Sequence, residues 1–120
     1  MRKEIVLALA VLLLLPFSAE AEFTLGQYRQ IVQDPALKER LDSYLTGVGR
    51  GVFWANVMLR AQKKRQLFCM PAELSLDEGI IESLFDQEIR RPTKSAHYGE
   101  DTPIELILIS AFIQRFPCEE

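Results

Sequence analysis

The sequence is poor in the residues from which catalytic and metal centres are usually built. It has one histidine, His97, and two cysteines, Cys69 and Cys118, in 120 residues. Two thiols and one imidazole fall short of the four ligands of a structural zinc site, so no metal or cofactor is expected. A cysteine nucleophile would have to pair Cys69 or Cys118 with His97, and no Asn or Asp is marked out by spacing as a third member. The formal net charge is −3, without the strong basic surface that nucleic-acid binding demands. Glu78 and Glu82 sit four apart, which places both on one exposed helix face and reads as solvation rather than acid–base machinery. There is no internal repeat and no low-complexity tract. No run reads convincingly as a strand.

The longest apolar run, Ile5 to Leu15, is too short to serve comfortably as a permanent membrane anchor. Arg2 and Lys3 precede it, Pro16 closes it, and Ala19-Glu20-Ala21 follows with small residues at the two positions a signal peptidase reads. This is the three-part pattern of a secretory signal peptide. Residues 1–21 are expected to be removed, which leaves the net charge unchanged and a single small domain over residues 22–120, with no membrane attachment. In an exported chain an even number of cysteines reads as bridged. A Cys69–Cys118 bond would close a loop of about 50 residues, worth ~4 kcal/mol in the chain-entropy model.

Hydrophobic spacing and start signals place four helices. Thr24 with Gln27 forms a capping-box pattern, followed by Leu25, Tyr28, Ile31 and Val32 at helical spacing. Asp34-Pro35 stops that helix and starts a second, which runs to about Lys64. Its stripe is Leu37, Leu41, Tyr44, Val48, Val52, Ala55 and Leu59, and Arg60, Lys63, Lys64 and Arg65 close it with the charge a helix C-terminus prefers. Ser75 with Glu78 predicts the cap of a third helix, with Leu76, Ile80, Leu84 and Phe85 buried and an end near Arg90. Residues 91–101 are polar, hold Pro92 and Gly99, and read as a loop. Thr102-Pro103-Ile104-Glu105 opens a last helix to about Arg115, apolar nearly all round and so expected to be surrounded. The fold class is all-α: a small bundle of four to five helices with one disulfide.

Residues 44–54, YLTGVGRGVFW, hold three glycines inside the second helix. A P-loop needs Lys followed by Ser or Thr after its last glycine, where Val52 and Phe53 stand, and the dinucleotide fingerprint needs a preceding strand. Three interior glycines cost about 3 kcal/mol against alanine. Gly47 and Gly51, four apart, are therefore expected to form a face for close helix packing, either within the bundle or across a homodimer. Arg50 and Trp54, also four apart, are expected to stack on another face.

Taken in order, Tyr44-Leu45-x-Gly47-x-x-x-Gly51, Phe68-Cys69-x-Pro71 with a capped helix downstream, and the terminal Phe116-Pro117-Cys118 resemble the Rap/Tai-type immunity proteins of type VI secretion systems. The resemblance covers nearly the whole of residues 22–120. It matches Cys69 and Cys118 to the family's last two cysteines, while the further cysteine pair common in the family has no counterpart here. It implies a small helical periplasmic protein, often dimeric, that binds a peptidoglycan-cleaving amidase effector and blocks its active site without catalysis of its own. If occlusion is the mechanism, the polar loop should enter the partner's cleft, with His97, Tyr98, Glu100 and Asp101 as contacts. Two other readings compete: an acid-stress chaperone that exposes apolar surface as carboxylates protonate, and a small hydrolase using His97 and a free cysteine.

Overall fold

Helix starts and stops set the architecture. The computed structural model describes residues 2–5, 23–91 and 98–119. The expected cleavage site at Ala19-Glu20-Ala21 and the loop residue His97 lie outside the described residues. Beside a helical stretch over residues 2–5, the chain forms α1 (Leu25–Ile31), α2 (Pro35–Ala61), α3 (Glu78–Arg90) and α4 (Ile104–Arg115). The fold is an all-α bundle with a Cys69–Cys118 disulfide, Cα atoms 4.9 Å apart. No helix among the described residues is long and apolar enough to cross a membrane.

The first two helices begin where the sequence signals fall. Thr24 Oγ1 accepts from the Gln27 N–H at 3.3 Å, and Gln27 Oε1 accepts from the Thr24 N–H at 3.0 Å, so two otherwise orphaned donors are satisfied. Asp34 Oδ1 accepts from Ala36 N–H at 3.0 Å, with Pro35 in the first turn. The other two begin differently. Ser75 does not cap α3: Asp77 does, accepting from Ile80 N–H at 2.9 Å. Its carboxylate also faces the positive end of the helix dipole, an advantage a serine hydroxyl lacks. Nor does Thr102 cap α4. The Ile104 N–H donates to the Phe23 carbonyl at 2.8 Å, while Leu25 and Gly26 N–H donate to the Thr102 and Glu100 carbonyls, both at 2.9 Å. The starts of α1 and α4 thus cap one another through the backbone.

The core gathers Leu25 and Tyr28 of α1, Leu41 and Leu45 of α2, Ile81, Leu84 and Phe85 of α3, and Ile104, Ile107, Leu108, Ala111 and Phe112 of α4. Phe68 from the α2–α3 connection completes it, stacked on Phe112 at 4.9 Å between ring centroids. Tyr28 lies against Phe85 at 4.8 Å. α4 is covered on one side and open on the other: Leu106 and Ile113, seven apart, are 52% and 37% exposed. The expectation of a fully surrounded helix is corrected there.

Of the two expectations for the glycines of α2, packing within the bundle is not what the structure shows. Gly47 and Gly51 face solvent, with nothing within 4 Å of the place a Cβ would occupy. The glycine that meets a neighbour is Gly49, buried, where a Cβ would stand 2.9 Å from Ile81 Cδ1. The inward stripe runs through Leu41, Leu45, Val48, Gly49, Val52 and Asn56. It shares Leu41, Val48 and Val52 with the stripe read by spacing and replaces Tyr44 and Ala55 by Leu45, Gly49 and Asn56, a turn of about 50°, which leaves Gly47 and Gly51 on the far side.

Gly26 is the glycine for which a close backbone approach is decisive. A Cβ there would stand 3.1 Å from the Glu100 carbonyl oxygen and 2.9 Å from Glu100 Oε2, which would push apart the two helix starts. Gly26→Ala should therefore lower the melting temperature. Gly47→Ala and Gly51→Ala should each raise it, by about 0.5–1 kcal/mol of helix stability, because they add propensity without a clash. The opposite order in thermal unfolding would refute this placement of the glycines.

One polar side chain anchors the α2–α3 connection. Asn56, 3% exposed, donates from Nδ2 to the Phe68 carbonyl and accepts at Oδ1 from the Leu67 N–H, both at 2.8 Å. Its amide supplies both partners that a helix-leaving segment lacks. Asn56→Ala should cost about 1–3 kcal/mol in chemical denaturation, the penalty for leaving such groups unpaired in the interior. A loss under half that size would show that water replaces the amide.

Candidate functional site

Two regions were singled out by sequence or stand out by exposure: the ends of the polar loop and the outer face of α2. The loop ends are built around Glu88, 4% exposed on α3. Its Oε1 accepts from the Tyr98 hydroxyl at 2.6 Å and from Arg91 Nη2 at 2.7 Å. Arg91 Nη1 donates to Gln114 Oε1 of α4 at 3.0 Å. A buried carboxylate held by a cation and a hydroxyl on either side of residues 92–97 clamps both ends of the loop to the bundle.

This arrangement changes the role of Tyr98. Sequence reasoning placed it among the partner contacts. The structure packs its ring against the core and uses its hydroxyl on Glu88. Glu100 is exposed but ion-paired to Arg29 across the start of α1, a contact that contributes little in solvent. Asp101 is exposed. The loop residues are therefore not gathered into one projecting tip among the described residues. Tyr98 is half-buried and tied to Glu88, and Glu100 and Asp101 are at the surface.

A second polar seam joins α1, α2 and α3. Lys38 Nζ donates to Asp42 Oδ2 at 2.7 Å and to Glu82 Oε1 at 2.6 Å. These two bonds hold its ammonium well above the usual lysine range. Close by, the Tyr28 phenol is pushed up to about 12, first by burial and then by the charges of Asp86 and Asp42. The seam is spent on joining helices. No group of three or more potential metal-ligating side chains is assembled among the described residues. Cys69 and Cys118 share one bond, so neither sulfur is available as a thiolate nucleophile while it stands.

The outer face of α2 is the region sequence reasoning undervalued. Gly47, Gly51, Trp54 and Met58 recur at intervals of four, three and four, so they share one side of the helix. Trp54 is 63% and Met58 57% exposed. The Trp54 ring makes an edge contact with Phe53, centroids 5.3 Å apart; the expected stack on Arg50 is not among the ring contacts of the described residues. The signal was present: Trp54 stands seven residues after Gly47 and three after Gly51, on the side of the helix opposite the inward stripe. Its four-residue spacing from Arg50 pointed to a local stack instead.

Tyr28 and Tyr98 both keep their protons to higher pH than a tyrosine in the unfolded chain, which titrates near 10. A raised folded pKa contributes stability in full below the unfolded value and loses it as pH rises toward the folded one. Urea unfolding midpoints should therefore fall from about pH 10 upward, and Tyr28→Phe should flatten that slope by up to one proton. An unchanged slope in the Phe variant would exclude Tyr28 as the group responsible. No family model, no curated protein and no solved structure matches the chain.

Proposed function

We propose that this chain is a periplasmic immunity protein that binds and occludes a peptidoglycan-amidase effector delivered by type VI secretion. A binding role rests on one observation: the uncovered face of α2, where Trp54 and Met58 stand in solvent beside two positions without side chains. Large exposed apolar groups grouped on one face mark interaction surfaces, and tryptophan and methionine are enriched in interface cores. Trp54 offers a knob and Gly47 and Gly51 a shallow hollow, a relief that a partner surface can match. Two copies of the chain could use the same relief on each other, so a homodimer would compete with the effector for it.

The identity of the partner comes from the resemblance: the order of the Tyr44-Leu45-x-Gly47-x-x-x-Gly51, Phe68-Cys69-x-Pro71 and Phe116-Pro117-Cys118 elements, behind a signal-peptide pattern. Occlusion requires no chemistry of the inhibitor, only a stable shape that fills the cleft and excludes substrate. Asp101 and His97 are the loop's own candidates for a second contact.

The test is capture of the amidase encoded beside this gene. Trp54→Ala combined with Met58→Ala should weaken the complex at least tenfold, the scale of a tryptophan hot spot. Both side chains are exposed, so the melting temperature should barely change. Loss of affinity on His97→Ala with Asp101→Ala, and none at Trp54, would move the contact to the loop. Failure of any neighbouring amidase to bind at micromolar concentration would end the reading.

A further inference from the structure

A groove opens between α1 and the first half of α2. It has a volume of about 260 Å³ and is lined by Phe23, Ile31, Leu37, Arg40, Leu41 and Tyr44. Phe23 and Leu37 form its lips, 37% and 42% exposed, and the buried side chain of Leu41 lies at its base. The Phe23 and Tyr44 rings meet edge to face at 5.3 Å and fix one wall. The volume falls just below the ~300–1,000 Å³ of sites for drug-sized ligands. It suits one short apolar chain rather than a nucleotide or a ring cofactor.

The cation in this lining is Arg40. It is exposed on α2 and makes no ion pair with a described residue. Lys38, two residues earlier, is by contrast fully engaged by Asp42 and Glu82. An apolar trough with an exposed arginine at its edge, without an ion pair among the described residues, is complementary to a molecule with a hydrocarbon tail and an anionic, planar head that stays at the rim. Arginine's fork matches a carboxylate in two parallel hydrogen bonds.

We propose that this groove binds a short-chain free carboxylic acid, its tail against Phe23, Ile31, Leu37 and Leu41 and its carboxylate on Arg40. The tail accounts for the two open apolar lips, which otherwise remain in water. The head supplies an anion to a guanidinium that has none among the described residues.

Methyl NMR of the purified protein titrated with octanoate tests it. Octanoate should shift the methyl signals of Ile31, Leu37 and Leu41 saturably, and bind about fivefold tighter than octanol, the size of one exposed charge-assisted contact. Octyltrimethylammonium should bind no better than octanol. Arg40→Gln, a change at an exposed position, should bring octanoate down to the octanol level while the melting temperature holds. The proposal is overturned by any of these results: no saturable shift at those methyls; equal binding of the ammonium and the carboxylate; an unaltered octanoate preference in Arg40→Gln; or the same methyls shifting with protein concentration alone, which would assign the groove to a second copy. Contacts from those methyls to Ile5 or Leu15 in the free protein would likewise overturn it, by showing that the chain fills its own groove.

Discussion

The bundle depends on how residues 66–70 are held. This segment leaves a 27-residue helix and must cross to α3 without regular hydrogen bonding of its own. Three attachments fix it. The Asn56 amide satisfies Leu67 and Phe68, the Phe68 ring stacks on Phe112, and the Cys69 N–H donates to the Phe116 carbonyl at 2.8 Å beside the disulfide to Cys118. Each attachment comes from a different part of the chain, α2 or the two ends of α4's last turn. A domain this small has a limited core, so an interior amide, a ring stack and a covalent bond at one place carry a large share of its order. Burial of Phe68 draws α2, α3 and α4 toward a common centre.

Much of this was legible beforehand, for identifiable reasons. Thr24-x-x-Gln27 and Asp34-Pro35 are local signals, read by side chains within one helical turn, and both helices start there. The disulfide followed from cysteine number. The starts of α3 and α4 were misplaced because their donors have other partners. Asp77 lies closer to the helix than Ser75, and the first N–H of α4 finds the Phe23 carbonyl, some 80 residues back along the chain. A partner so distant in sequence leaves no mark in the residues around Thr102.

The site was harder to read than the fold. Spacing gives the period of a helix more securely than which of its faces is covered, and Gly47 and Gly51 lie on a face of α2 that nothing in the described bundle covers. Trp54 stands on that same face. The bond of Tyr98 was not legible for a different reason: a polar loop in sequence can be pinned by a carboxylate on another helix, and nothing near Tyr98 announces Glu88. Exposure and long-range pairing are properties of the assembled chain, and they decided which residues are free to meet a partner.

The crossed starts of α1 and α4 also bear on the order of events during folding. α1 has seven residues, too few to persist alone in water. The carbonyls that receive its first two N–H groups belong to Thr102 and Glu100. The earliest helix of the domain therefore waits for almost the last residues to be made, and closure spans most of the chain. A chain stalled before residue 100 carries α1 without the carbonyls that receive its first two N–H groups.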